Sequence, residues 1–212
     1  MRRRMMMKKK DTPMDYITDG LIFHLDGIDK GGTANAWTDL VSGMVLTGTA
    51  TFVDNGVTFD STHVLHSDTE LPQDSAEPLF TVEVCCSDVT TKGIVFASRD
   101  YYDGGVCVNL VYGQFFNNNA VNSLPPAVIP QTFTCSVNAT ARLLNGMQVT
   151  GYGSKQAWSN RGTNVGGRYF STYNANGIVG TIHSIRVYNR RLTEEEMLHN
   201  QKIDIKRFNL NI

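Results

Sequence analysis

The chain has 212 residues, 41% of them hydrophobic and 18% charged, which is enough to bury a sizeable core and excludes a disordered protein. No run of about 18 apolar residues occurs, which excludes a transmembrane helix. The formal net charge is −1, yet the cations concentrate at the N-terminus, so the rest of the chain is acidic and argues against a nucleic-acid-binding groove.

The first element along the chain is a basic N-terminal arm, residues 1–14. We expect this arm to anchor the following domain, residues 15–212, to acidic partners in a larger assembly; a merely solvated tail is the alternative. No apolar run of 7–15 residues follows the cations, so the sequence predicts no secretory signal peptide. The cations are Arg2, Arg3, Arg4, Lys8, Lys9 and Lys10.

From Gly20 onward the sequence predicts short strands separated by turns. Residues 20–27 form a β-favouring run, and residues 44–60 hold two runs around Asn55-Gly56, a pair suited to a two-residue hairpin turn. Apolar and polar residues then alternate through residues 79–89, which is typical of a strand with one buried face. A second hairpin turn is expected at Asn145-Gly146. With no helical pattern between the strands, the sequence favours one all-β domain.

The longest strand candidate is residues 177–192, and one helix follows it. Strict alternation places Ile182 and Arg186 on one face of this strand and Ile185 on the other. Thr193 and three following glutamates form a capping box, which predicts a helix over residues 193–200. The remaining residues are expected to form an extended tail.

The four cysteines have neither CxxC spacing nor accompanying histidines at zinc-finger distances. Adjacent Cys85 and Cys86 point to opposite faces of their strand, so at most one of them joins a given core. We expect Cys85, Cys86, Cys107 and Cys135 to be buried free thiols.

Two stretches carry a family pattern: AWTDLVSG after the first strand, and GTIHSIRVYNRRLTEEE over residues 180–196. They resemble the laminin-G-like branch of the concanavalin A-like jelly-roll superfamily. The resemblance implies a sandwich of two antiparallel sheets with one short C-terminal helix and one sheet face free to meet ligands. Trp37 is then a structural plug. Arg186 is expected on the outer surface of a sheet, as a cross-strand ion-pair partner.

Catalytic residues of a glycosidase are not apparent. The hydrolase branch of the resembled superfamily carries an E-x-D-x-x-E string on one strand, and this sequence has none. Glu83 is the one glutamate inside a confident strand, and Cys85 occupies the position where a second acid would stand. We therefore interpret Glu83 as a solvated strand residue and predict that the protein is not an enzyme.

No cofactor is expected. Loop oxygens could still bind Ca²⁺ in this fold, and Asp26, Asp29 and Asp60 are the candidates for such a site. None of them has EF-hand spacing. Asp26-Gly27 is more simply a turn, and Asp60 a cap at a strand end.

Glycan binding would need aromatic rings for stacking and nearby amides or carboxylates for the sugar hydroxyls, and such residues lie in predicted loops. The candidates are Tyr101, Tyr102, Asp103, Asn117, Trp158, Asn160 and Tyr173.

The function predicted from these features is a non-catalytic structural or adhesion module of a phage virion, in the capsid, fibre or tail, that could also bind host glycans. The predicted location is the virion, and the predicted partners are other assembly proteins reached through the arm. The missing signal and the unpaired cysteines agree with assembly in the cytoplasm. The alternative is a carbohydrate-binding module of a bacterial surface or secreted protein.

Overall fold

The computed structural model describes residues 15–31, 35–71, 81–98, 106–110, 114–117, 120–123, 130–138, 141–149, 162–170, 173–175 and 177–212. The basic arm, residues 1–14, lies outside the described residues. The described chain forms two antiparallel sheets and one C-terminal helix, which confirms the predicted fold class.

The first sheet has eight strands, with the last strand of the chain at its centre. That strand pairs with one neighbour along one edge and with two others, in succession, along the opposite edge. In spatial order the strands are β14 (Met147–Gln148), β13 (Arg142–Leu144), β12 (Phe133–Val137), β7 (Thr81–Thr91), β18 (Val179–Tyr188), β5 (Gly56–Phe59) and β4 (Thr51–Val53), with β1 (Leu21–Asp26) also pairing β18.

The second sheet also has eight strands, and a short hairpin lies against it. The strands in order are β11 (Ala120–Ser123), β10 (Gln114–Asn117), β9 (Val106–Asn109), β8 (Ile94–Ser98), β15 (Thr163–Val165), β6 (Val64–Ser67), β3 (Val45–Thr49) and β2 (Ala36–Thr38). The hairpin consists of β16 (Arg168–Phe170) and β17 (Tyr173–Ala175), and β16 lies close to β6 and β15.

The two sheets enclose one apolar core, because alternate residues of their strands point inward. Trp37 is fully buried in it, and its Nε1 donates to the carbonyl oxygen of Asp26 at 3.0 Å, which confirms the predicted plug. Cys86 and Cys135 join this core, whereas Cys85 is buried on the other face of β7. These three thiols are free, as predicted; nothing is described of the Cys107 side chain.

The two predicted hairpin turns have different outcomes. Asn145 and Gly146 both have positive φ, 49° and 77°, and connect β13 to β14 as predicted. In the other hairpin the turn residues are Asp54 and Asn55, and Gly56 already pairs with Val53. The predicted turn was therefore displaced by one residue.

The strict alternation predicted for β18 is wrong, because the strand contains a bulge at His183. The register against β7 shifts between Ile182 and Ser184, and one extra residue reverses the facing of everything that follows. Ile182 and Ile185 therefore both point into the core, and Arg186 points away from it.

Helix α1 (Glu194–Arg207) begins as predicted and ends seven residues later than expected. Thr193 Oγ1 accepts from the backbone nitrogen of Glu196, whose carboxylate accepts from the Thr193 nitrogen, so the capping box is confirmed. The predicted extended tail is wrong because Asn200, Gln201 and Asp204 are buried, a polar pattern that apolar periodicity does not detect. In the described part of the chain, no helix is long and apolar enough to span a membrane.

Candidate functional site

The outer face of the first sheet is covered by α1, and a buried ion-pair network lies between them. Arg186 is fully buried, and its Nη1 and Nη2 donate to the two carboxylate oxygens of Asp204 at 2.8 and 2.6 Å. Its Nε donates to Oε2 of Glu83 at 2.9 Å. Two carboxylates thus share one guanidinium. Cross-strand pairing of Arg186 is confirmed, whereas its expected surface exposure is wrong.

The interpretation of Glu83 as a solvated residue is also wrong. Glu83 is 1% exposed, and both its oxygens accept hydrogen bonds, Oε1 from Ser136 and Oε2 from Arg186 and Asn200. Burial raises the pKa of Glu83 above its ordinary value, against the opposing effect of the Arg186 charge. A carboxylate with every oxygen engaged beneath a helix cannot reach a glycosidic bond, so its role is structural.

The N-terminal end of the described chain completes this cover. The Tyr16 hydroxyl donates to Asp204 at 2.8 Å, and its ring lies 4.1 Å from the Arg186 guanidinium carbon. The Ile17 nitrogen donates to Asn200 at 3.0 Å. This part of the first sheet's outer face is therefore closed to a ligand.

The calcium candidates do not assemble into a site. Both oxygens of buried Asp26 bind Arg207, at 2.7 and 2.9 Å, and the backbone of Asp29 donates to the same carboxylate. Although burial opposes ionisation, these hydrogen bonds hold the pKa of Asp26 below its ordinary value. Exposed Asp60 accepts from Thr62 and His63 in the turn after β5. No group of three or more His, Cys, Asp or Glu side chains able to hold a metal occurs among the described residues.

The outer face of the second sheet carries a different polar group. Leu65 and Val165 are register partners inside the core, so the next pair, His66 and Asn164, points outward. Nδ1 of His66 lies 3.1 Å from Oδ1 of Asn164. Strand β16 lies close to the same two strands.

At one end of the second sheet lie the strand ends that border several of the predicted glycan-binding segments. The register there runs Ser67–Thr163–Ser98–Val106–Asn117 across five strands. Segment 99–105 leaves at Ser98 and returns at Val106, and segment 150–161 ends beside Thr163. The strand ends that border these two segments, together with Asn117, therefore lie side by side at one end of the sheet, called here the gathered end, although they are distant in sequence.

Buried hydroxyl groups fix the chain at this end. Oγ of Ser98 and Oγ1 of Thr163 lie 3.1 Å apart. The Thr163 hydroxyl donates to the Thr69 carbonyl oxygen at 2.8 Å, and Ser98 Oγ accepts from the Leu71 nitrogen at 3.2 Å. The segment that follows β6 is consequently attached to both β8 and β15.

Two of the seven glycan-binding candidates have a described backbone. Asn117 lies on β10 at the gathered end, and Tyr173 lies on β17 of the hairpin. The candidates outside the described residues are Tyr101, Tyr102, Asp103, Trp158 and Asn160.

Sequence reasoning missed His66 and Asp68, the described polar pair at this end. Nε2 of His66 lies 2.8 Å from Oδ1 of Asp68. The available signal was the H-x-D spacing after an apolar strand, since residues two apart on a strand share a face.

Comparisons with known proteins identify the fold. The chain is similar to Trypanosoma rangeli sialidase in complex with sialic acid, at 13% identity and a TM-score of 0.53, over 88% of this chain and 33% of that one. It is equally similar to domain 4 of AbnA, a GH43 extracellular arabinanase from Geobacillus stearothermophilus, in complex with arabinotriose, at 11% identity and a TM-score of 0.54, over 85% and 98% of the two chains.

These similarities establish a shared β-sandwich. The chain spans about a third of the length of the sialidases that it matches. No protein-family model matches the sequence, and no curated protein matches it. Membership of the laminin-G-like branch therefore stays a prediction.

Proposed function

We propose that this chain is a non-catalytic carbohydrate-binding module whose site lies at the gathered end of the second sheet. The sequence alone favoured a virion module and left a carbohydrate-binding module as the alternative. The virion location and the docking of the basic arm stay predictions, because the arm lies outside the described residues.

The proximity of the strand ends that border segments 99–105 and 150–161 carries this proposal. Segments 99–105 and 150–161 hold aromatic residues beside amides and carboxylates, the combination that stacks on a sugar ring and binds its hydroxyls. Their attachment points, Ser98 and Thr163, are register partners with hydroxyl groups 3.1 Å apart. Loops on a rigid sheet are the usual place for a binding site.

The similar arabinanase domain supports the same proposal. It is a separate domain of nearly the same extent as this chain, and it is described in complex with arabinotriose. A non-catalytic role also agrees with the position of Glu83, the strand glutamate considered as a catalytic acid. Its carboxylate binds Arg186 beneath α1 and is buried.

The proposal is tested by screening the chain for binding to a panel of oligosaccharides that includes arabinotriose. The affinity for a glycan selected in this screen is then measured by titration calorimetry. We expect Trp158→Ala and Tyr101→Ala each to weaken binding of the selected glycan by about tenfold or more, since a stacked aromatic ring loses its buried apolar contact. Met147→Ala is the matched control, because Met147 is 67% exposed at the edge of the first sheet.

Tyr173→Ala extends this test. A similar loss in that variant would extend the site from the sheet edge to hairpin β16–β17. Failure of the wild-type chain to bind any oligosaccharide of the panel would refute the proposed function. Unchanged thermal unfolding of each variant is required, so that a loss of binding is not a loss of fold.

A further inference from the structure

The turn between β13 and β14 contains an Asn-Gly pair that water can reach. Asn145 is half-buried and Gly146 is exposed, and a Cβ added to Gly146 would lie at an ordinary contact distance, 3.5 Å, from Cδ2 of Leu198. The backbone nitrogen that follows an asparagine can attack the side-chain amide of that asparagine, and glycine hinders this attack least because it has no Cβ. Burial therefore does not protect this pair from deamidation.

Hydrogen bonds to two different elements hold the two groups that would react. The Gly146 nitrogen donates to Oε1 of Gln201 on α1 at 2.7 Å. Oδ1 of Asn145 accepts from the backbone nitrogen of Thr134 on β12 at 2.9 Å, and the Asn145 nitrogen donates to the Thr134 carbonyl oxygen at 3.0 Å. The asparagine side chain is thus bound to a strand, while the attacking nitrogen is bound to the helix.

Gln201 is itself held in one orientation. It is 2% exposed, and its Nε2 donates to Oγ of Ser136 at 2.8 Å and to the Leu143 carbonyl oxygen at 3.3 Å. These contacts direct Oε1 toward Gly146. An amide oxygen is a weak base, so this hydrogen bond retains the proton of the Gly146 nitrogen, whereas attack requires the nitrogen to lose it.

We infer that Asn145 is a deamidation site that α1 keeps unreactive through Gln201, and that it reacts when hairpin β13–β14 separates from the helix. This inference is independent of glycan binding. In the reaction the Gly146 nitrogen gives its proton to hydroxide and forms a bond to Cγ of Asn145. The Cγ–Nδ2 bond breaks, and Nδ2 takes a proton from water and leaves as ammonia. Water then opens the cyclic imide at either carbonyl carbon, which yields aspartate or isoaspartate at position 145.

The two products differ in what they do to the fold. Aspartate keeps a side-chain oxygen that accepts from the Thr134 nitrogen. Isoaspartate leads the main chain through the former side chain and adds one methylene group to a two-residue turn, which is incompatible with the pairing of Leu144 with Met147. Isoaspartate therefore makes the separation of the hairpin from α1 irreversible.

The test measures deamidation at each Asn-Gly pair of the full chain, by peptide mapping with mass spectrometry after incubation in mildly alkaline buffer. Asn55-Gly56 is the internal control, because Gly56 is buried and pairs with Val53 between β4 and β5, so that it reports opening of the sheet. Mapping also separates Asn176-Gly177, the third such pair in the sequence. We expect Asn145 to react at least about tenfold more slowly in the native chain than in urea.

Two variants isolate the contribution of Gln201. Gln201→Met removes the acceptor with little change in volume, and should accelerate deamidation at Asn145 by about fivefold, the effect of one lost hydrogen bond, without changing the rate at Asn55. Glu194→Ala is the matched control, because it removes another contact between the hairpin and α1, to Nε2 of Gln148 at 2.6 Å, and leaves the Gly146 hydrogen bond in place. Its rate at Asn145 should equal that of wild type.

Three results would overturn the inference: deamidation at Asn145 that is as fast in the native chain as in urea, an unchanged rate in Gln201→Met, or an equal acceleration at Asn55. The last result would assign the protection to the whole fold instead of Gln201. If Gln201→Met does not fold, hydrogen exchange in wild type decides. The Gly146 amide should exchange slowly although the residue is exposed, and exchange as fast as in the urea-unfolded chain would overturn the inference.

Discussion

The outer faces of the two sheets are both polar, but they differ in whether their polar contacts end at a buried or an exposed carboxylate. On the first sheet, Glu83 and Arg186 are buried beneath α1 and bind each other and Asp204. On the second sheet, Asn164 is buried as well and contacts His66, and His66 in turn contacts the fully exposed Asp68. Polar residues alternating along a strand therefore indicate a face outside the apolar core, and what covers that face decides how much of them stays exposed.

The largest effect is expected when the network under α1 loses its one central cation. Arg186→Met leaves Glu83 and Asp204 buried without their shared partner, and should lower the free energy of unfolding by about 3–5 kcal/mol, as for other broken buried pairs. Chemical denaturation measures this change. The triple variant that adds Glu83→Gln and Asp204→Asn removes the uncompensated charges and should recover part of the loss; no recovery would contradict an electrostatic cause.

The same covered face should make the fold sensitive to acid through His24. Burial, followed by the Arg186 charge, lowers the pKa of His24 to about 3. The unfolded chain binds this proton near pH 6.5 and the native chain does not, so stability should fall as pH drops below 6.5, by about 1.4 kcal/mol per pH unit until the native pKa is approached.

Urea denaturation of wild type and His24→Gln gives the free energy of unfolding of each protein from pH 7 to 4. The difference between the two slopes of this free energy against pH isolates the contribution of His24. Glu83 contributes in the opposite direction, because its raised pKa lets the native chain take up a proton first and adds stability as pH falls toward 4.5. That contribution is common to both proteins and cancels in their difference. Equal slopes would contradict the prediction that His24 takes up a proton in the unfolded chain and not in the native one.

A smaller effect is expected at the start of the covering helix. Thr193→Ala removes the oxygen that accepts from the Glu196 nitrogen at 3.2 Å, and should cost about 1 kcal/mol in the free energy of unfolding. Thr193→Ser keeps the hydroxyl group and is the matched control. A serine variant as unstable as the alanine variant would argue that packing of the threonine methyl group, rather than the cap, is responsible.

The smallest effect on stability is expected at Asp68, on the second sheet. Asp68→Asn should leave the thermal unfolding midpoint unchanged, because this side chain is fully exposed and its hydrogen bond with His66 is exchanged for hydrogen bonds with water on unfolding. A midpoint lowered as far as in Thr193→Ala would mean that Asp68 maintains the fold, and the contrast between the two faces would be lost.

Local patterns predicted the all-β class, the helix start and the Asn145-Gly146 turn, because alternation, capping and turn chemistry act over a few residues, whereas the two-sheet sandwich was implied by the family resemblance. The register shift at His183 was not predictable in this way, since a bulge changes facing without changing composition. The end of α1 was missed for a related reason. Its buried face is polar, with Asn200 and Asp204 taking positions where apolar residues would reveal a helix.

The candidate site could be predicted only in part. Aromatic and amide residues in loops were visible in the sequence, but the proximity of the strand ends that border these loops depends on the pairing of Thr163 with Ser98, which are 65 residues apart. Glu83 was misread because its partners, Arg186 and Asn200, are more than 100 residues away. Whether a polar strand residue is exposed or buried therefore depends on long-range partners that the local sequence does not reveal.

The position of β18 has a consequence for how this chain folds as it is synthesised. β18 leaves the ribosome after the other strands of its sheet, yet it lies between β7 on one side and β5 and β1 on the other. Until it emerges, these strands have no common neighbour and present unpaired edges, which are prone to aggregate. Closure of the first sheet therefore waits for residues 179–188, and a product truncated before residue 179 lacks the strand that joins β7 to β1 and β5.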